Sequence, residues 1–281
     1  AVVFITHKIE EATDAAHVVT VLRHGKSVAR FNRPVHADLV AGAMLGEELS
    51  DAAIATVQSS ATVAQAPNRK VKSALHTSAD TTVRESTVPL LQVNGLSVRE
   101  GGRSLLDNVS FTVHAGEILG LTGIRQNGIE TMEQILGALR RPTGGTIVLA
   151  GREITPLSPR KLRRIGIGYV PTDRLLRGAS LHSSVAENLI VLERNQLQRA
   201  GVFVPDRVTD FGTQLTQEYA IQGVLHTPLR HLSGGNIQKV ILSRELATKP
   251  RLLVVCEPSW GLDVRSRDLI YARIRDASRQ G

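Results

Sequence analysis

Three stretches of the chain hold residue types whose order suits work on an anion. In Leu232-Ser233-Gly234-Gly235-Asn236-Ile237-Gln238 a hydroxyl and two glycines open a predicted helix. The first turn of a helix carries unpaired N–H groups and the positive end of the dipole, so this turn can cradle an anion. It can equally be a plain helix cap, and alone it does not choose. Further on, the apolar run Leu252 to Val255 predicts a buried strand that delivers Glu257 and then Gly261-Leu262-Asp263. A carboxylate at the end of such a strand can orient a water beside the anion. The third stretch, Gly123 to Leu139, places glycines at 123 and 128 between a predicted strand and a predicted helix, the context of a phosphate-binding loop.

That third stretch departs from a working loop. The pattern Gly-x-x-x-x-Gly-Lys-Ser/Thr cradles phosphates with backbone N–H groups, neutralises them with the lysine and holds Mg²⁺ with the hydroxyl. Here Gly123, Asn127 and Gly128 keep the frame, but Ile129 stands in the lysine position and Glu130 in the hydroxyl position, with Thr131 one place late. An anion site has lost a cation and gained a carboxylate. The loss of one such preorganised contact costs about 3 kcal/mol of transition-state stabilisation.

Periodicity gives the elements that must position these residues. Residues 1 to 5, AVVFI, predict a strand ending at Thr6-His7, followed by a polar helix over Lys8 to Ala16 and two short strands around His24-Gly25-Lys26. A lone histidine such as His7 is often merely structural. A short helix is predicted with Asp38 as its cap. Residues 50–88 are rich in Ala, Ser and Thr and read as a flexible linker. From Pro89 strands alternate around the Gly101-Gly102 turn, Glu117 to Thr122 reads as a buried strand, and Ile129, Met132, Ile135, Leu136 and Leu139 form one helical stripe. Ser158 with Pro159 predicts a helix start, and Ser184 with Glu187 a capping box. Alternating strands and helices predict an α/β core, with a helical stretch at about 181–231.

Composition narrows the partners. The 281 residues are 42% hydrophobic, enough for one or two cores, and no window approaches a membrane span. The single cysteine, Cys256, excludes an internal disulfide and favours a reducing compartment. A net charge of +8 admits nucleic acid, an anionic membrane surface or phosphate ligands. Aromatics are only 3%, so stacking platforms are scarce and no nucleic-acid partner is expected; the charge reads as a solvated, membrane-proximal surface. The start at Ala1 inside a strand-like run, without a secretory leader, leads to the expectation of a piece cut from a longer protein.

The order of Leu232 to Gln238, Leu252 to Glu257 and Gly261 to Asp263 resembles the signature motif, Walker B strand and D-loop of the ABC-type ATPases. ITHKIEEA with VTVLRHGK resembles the end of one such domain. YVPTDR, SVAENL, LSGGNIQKVILSREL and EPSWGLDV resemble the second domain of the ATP-binding subunit of bacterial simple-sugar and nucleoside importers, in which two ABC domains share one chain. The resemblance implies a P-loop NTPase fold of ABC type with antiparallel β and helical subdomains. It implies a remnant of a first domain at 1–49 and a second at 89–281, with His7 as a switch residue and Glu257 as the catalytic carboxylate. Thr172 and Asp173 fall in the Q-loop region, where the family carries Gln or Glu near the metal. Cys256 stands where it carries an aspartate that reaches Mg²⁺.

The implied function is ATP hydrolysis with Mg²⁺, powering import at the cytoplasmic face of the membrane as a peripheral subunit. The implied partners are a missing N-terminal ABC domain or a second copy, permease subunits and, indirectly, a solute-binding protein. Because ABC sites are composite, the degraded loop would form one site, while the signature turn, Asp263 and His7 would complete the other against the absent domain's Walker motifs. Two other readings stay open: a tandem ABC protein acting on RNA, ribosomes or DNA, and a nucleotide-binding pseudo-ATPase.

Overall fold

A computed structural model describes residues 1–46, 88–155 and 157–280. The predicted linker, apart from Val88, lies outside the described residues. Strand β1 (Val2–Thr6) is followed by the helix Ile9–Ala15, a hairpin of β2 (Val18–Arg23) and β3 (Lys26–Asn32), and the helix Ala37–Leu45. The cap position of that last helix is His36, without a side-chain bond, and Asp38 sits in the first turn instead. The hairpin turns at His24 and Gly25, both with positive φ, which suits the tight connection of two right-twisted strands.

After the undescribed stretch come β4 (Leu91–Glu100), β5 (Arg103–Val113) and β6 (Ile118–Gly123), a short 3₁₀ turn, and the helix Ile129–Leu136. Then follow β7 (Gly144–Leu149), β8 (Arg152–Glu153), the helix Pro159–Arg164 and β9 (Ile167–Val170). The predicted helical subdomain holds helices Val185–Ile190, Arg194–Leu197 and Pro205–Glu218, and also a small hairpin of β10 (Gln198–Arg199) and β11 (Val202–Phe203) that periodicity had not revealed. Its first helix starts with the full Ser184–Glu187 capping box. The helix Gly234–Ala247, β12 (Leu252–Cys256) and the helix Val264–Arg279 complete the fold.

Strands from the two stretches expected as separate domains share a sheet. β3, β2, β6, β1, β12 and β9 make one six-stranded sheet in that order, all parallel except the β2–β3 pair. Residues 1–32 are therefore not folded apart from residues 89–280. β1 lies in the interior between β6 and β12, paired on both sides, with every residue buried. A strand buried on both faces must be apolar throughout, as VVFI is. Val3 and Ile5 face the second, antiparallel sheet (β5-β4-β7-β8) and the helix Ile129–Leu136, while Val2 and Phe4 face the helices on the other side. Phe4 is fully buried, with its ring 5.9 Å from that of Tyr271. Burying a side chain of that size contributes about 2–3 kcal/mol.

Candidate functional site

Parallel strands that end in step put their following loops on one rim, where open α/β sheets hold ligands. Thr6 of β1 is in register with Thr122 of β6, Ile5 with Cys256 of β12, and Val255 with Val170 of β9. The segments leaving those strands are the Gly123–Gly128 loop, His7, Glu257 and Pro171-Thr172. The rim thus gathers residues that are far apart in sequence.

His7 and Glu257 meet directly. The His7 Nδ1 lies 2.5 Å from Glu257 Oε1, and the His7 backbone N–H donates to the same oxygen at 2.8 Å. Thr6 Oγ1 stands 3.3 Å from Glu257 Oε2 and 3.0 Å from Glu11 Oε2. Glu11, buried, also accepts from Lys8 Nζ at 2.8 Å and from the Ser259 hydroxyl. Lys8 Nζ and the His7 ring each lie about 6 Å from the half-exposed Trp260 ring. Glu257 itself is 4% exposed and has φ +46°, a left-handed conformation costly for a non-glycine residue. The carboxylate is held in place by backbone and side-chain donors, with the imidazole at the open side. His7 thus lies on the same rim as the Gly123–Gly128 loop.

The loop keeps the geometry but not the charges. A side chain on Gly123 would meet Leu22 O at 2.2 Å, and Gly128, at φ +110°, would press on Leu106, so both positions require glycine. Asn127 accepts through its carbonyl from Gly25 N–H of the hairpin. Ile129 is 3% exposed and packs in the core, so its side chain does not face a ligand. Glu130 is exposed and Thr131 buried. The helix ends at Leu136, leaving the predicted stripe member Leu139 exposed beyond it.

The helix Ile129–Leu136 carries a residue that the motif analysis passed over. Glu133 Oε1 accepts from Tyr169 Oη at 2.9 Å and Thr172 N–H at 2.9 Å, and Oε2 accepts from Thr172 Oγ1 at 2.8 Å. Cys256, fully buried at the end of β12, has its thiol pushed up by burial, by the charges of Glu133 and Glu257, and by its hydrogen bond to Glu133. Burial, Cys256 and Glu133 likewise push the Tyr169 hydroxyl up. A sequence signal existed: Glu133 lies on the same stripe as Ile129, Met132 and Leu136, and a carboxylate on an apolar stripe needs donors.

The signature turn sits elsewhere. Ser233 caps the helix Gly234–Ala247, its Oγ accepting from Asn236 N–H at 3.3 Å and from Asn236 Nδ2 at 3.0 Å. Asn236 also accepts from Gln222 N–H, so its side chain is spent within the fold. Gln238 is 2% exposed and presents nothing at the surface, and Leu232 is partly covered. Leu262 packs beside Gly235, and Arg174 bonds the Trp260 carbonyl at 2.5 Å while lying close to Gly234 and Gly261. Asp263, expected as the D-loop carboxylate, caps the helix Val264–Arg279. The N–H and hydroxyl of Ser266 bond it and hold its carboxyl below the usual range. Asp173 similarly caps its own turn through Leu176 N–H. Among the described residues no hydrogen bond joins the Ser233–Gly235 turn to residues 123–131.

Known proteins resemble this chain in sequence and in fold. A family model described as ABC transporter matches residues 106–259. The nucleoside import ATP-binding protein NupA of Lactococcus lactis subsp. cremoris is 30% identical over 285 residues, covering 100% of this chain and 51% of its own length. The ribose import ATP-binding protein RbsA of Geobacillus kaustophilus is 32% identical over 285 residues, again covering 100% and 51%. The arabinose import ATP-binding protein AraG of Chromohalobacter salexigens is 30% identical, with 100% and 51% covered. The chain spans about half the length of these curated relatives. Among solved structures, the dimeric post-hydrolysis state of the ATP-binding cassette MJ0796 bound to ADP and Pi superposes with a TM-score of 0.59 at 22% identity, over 68% of this chain and 83% of that one. That likeness shows a shared fold.

Proposed function

The chain belongs to the ABC transporter family, and from that premise we propose that it is a motor segment powering import of a small polar solute, a sugar or a nucleoside. The relatives' printed names, which concern nucleoside, ribose and arabinose import, support the solute class. The segment offers two unlike halves of nucleotide sites. One half is the rim of Gly123–Thr131, His7 and Glu257, which keeps a polarising pair but has no lysine; it is the degenerate half, slow or silent in turnover. The other is the signature turn Ser233-Gly234-Gly235, with N–H groups at a helix start, which completes a nucleotide site on a partner cassette that brings its own phosphate loop, ATP and Mg²⁺. The partner is another ABC domain of the longer protein or a second copy.

The observation that carries this reading is the contrast at the two helix starts. At Gly234 the helix opens on a serine cap and two glycines with the Arg174 guanidinium beside them, whereas at Ile129 the lysine position is buried aliphatic surface. Hydrolysis in the composite site would open and close the cassettes and move permease subunits docked near Pro171 and the helical subdomain, at the cytoplasmic face of the membrane. No helix among the described residues is long and apolar enough to cross a membrane. The test is solute-stimulated ATP hydrolysis by the two-domain protein in proteoliposomes with its permease. Gly235→Asp puts a carboxylate into the anion cradle and against Leu262, and should lower turnover by about 100-fold. Full activity in that variant would refute the reading.

A further inference from the structure

A nucleotide site of this family implies a divalent cation, and the groups at this chain's rim do not suit one. A hard cation wants several oxygen donors free to turn toward it. At the end of β12 stands a buried thiol, Cys256, which is a poor partner for Mg²⁺. The hydroxyl and N–H of Thr172, where β9 leads out, are both spent on Glu133. Both carboxylate oxygens of Glu133 are engaged by Tyr169 and Thr172, and the side chain is 7% exposed. Ile129 points into the core, Thr131 is buried, and among the described residues no group of three or more His, Cys, Asp or Glu is placed to hold a metal ion.

We propose that Glu133 stands where a divalent cation would act: through its own hydrogen bonds it ties the phosphate-loop helix to β9 and its exit, so that this rim neither needs nor admits Mg²⁺. A cation shared between the loop and Thr172 would hold those two segments together only while bound. The carboxylate holds the loop helix and the Thr172 segment together permanently, with donors drawn from Tyr169 and Thr172. Glu133 is thus a positioning residue: it fixes the loop helix and the Thr172 segment relative to one another without touching a ligand. The inference rests on reading residues 123–131 as a phosphate loop.

Cys256, the sole cysteine, sits inside this network and reports its opening, because a fully buried thiol reacts with an aromatic disulfide reagent only when the structure opens locally. The experiment measures the labelling rate of the native chain in EDTA and in Mg²⁺, each with and without ATP, and repeats it for Glu133→Gln and Thr172→Val. The expected result is that Mg²⁺ leaves the wild-type rate unchanged with or without ATP, while Glu133→Gln raises it by about fivefold or more. Thr172→Val, which removes one of the bonds, raises it less and serves if Glu133→Gln does not fold. Slowing of wild-type labelling by Mg²⁺ by more than about threefold would show a cation entering the network and overturn the proposal. So would a variant rate equal to wild type. The fluorescence of the sole tryptophan, Trp260 beside His7, separately reports nucleotide. If ATP changes neither signal, the phosphate-loop reading fails, while the Mg²⁺ arm without ATP still judges the Glu133 tie.

Discussion

The helix starts at Ile129 and at Gly234 are built from similar glycine-rich turns but use their polar groups in opposite ways. At Gly234 the cap serine is satisfied within its own turn, and the two glycines add no side chain of their own to the first turn, beside which the Arg174 guanidinium and Leu262 lie. At Ile129 the first side chain drops into the core, the next is an exposed glutamate, and the carboxylate one turn on is bound inward by Tyr169 and Thr172. One start remains open for an anion and the other is closed on itself. A glycine frame therefore marks where a phosphate could sit, but the residues just after it decide whether charge and metal are available there.

The largest expected effect breaks the comparison at its base, the sheet. β1 sets His7 against Glu257, so removing its core anchor by Phe4→Ala should cost about 3–5 kcal/mol in chemical denaturation of the chain. A cost under about 1 kcal/mol would mean that β1 is dispensable and that His7 is not fixed at this rim.

Ile129→Lys sharpens the contrast. If the loop lacked only a cation, the lysine would restore tight nucleotide binding at no cost. Because residue 129 is 3% exposed, the charge would be buried unpaired, and the expected outcome is a loss of about 3 kcal/mol with no gain in nucleotide affinity by titration. Tighter binding at unchanged stability would show that the side chain can reach the loop.

How much of this was legible in the sequence differs between the two helix starts. The signature cap and the Ser184–Glu187 box follow from short-range spacing, and the structure has both. The buried strands before Gly123 and Glu257 follow from apolar runs, and they are β6 and β12. The place of β1 did not follow, because strand order is set by pairings over more than a hundred residues that no local pattern encodes: Val2 to Thr6 against Ile118 to Thr122 and Leu253 to Cys256. Asn236, Gln238, Asp173 and Asp263 were motif matches whose side chains serve caps or the core. Glu133 was missed because motif reading stops at Thr131, although its position on the apolar stripe was visible.

Two smaller effects refine the contrast. Ser233→Ala removes the cap at the open helix start and should cost about 1 kcal/mol of stability, read by denaturant titration. An effect indistinguishable from zero would mean that the serine is not held as a cap. The smallest concerns His17, at the opposite end of the strands, whose Nδ1 accepts from Ile118 N–H. Burial first, and then the nearby Arg33, lower its pKa from the ordinary 6.5. The unfolded chain therefore binds the proton more readily, so the contribution is complete above pH 6.5 and declines as pH falls through it toward the folded value. Thermal stability should drop on acidification through that window, and the drop should shrink in His17→Asn while His7–Glu257 is left intact.

The most direct test of the asymmetry compares ATP hydrolysis by the two-domain protein carrying Gly235→Asp with the same protein carrying Glu257→Gln. The account predicts that the first loses about 100-fold and the second stays within about threefold of wild type, because turnover runs through the open helix start. If Glu257→Gln abolishes hydrolysis and Gly235→Asp does not, the working site is the rim of this chain and the account is contradicted.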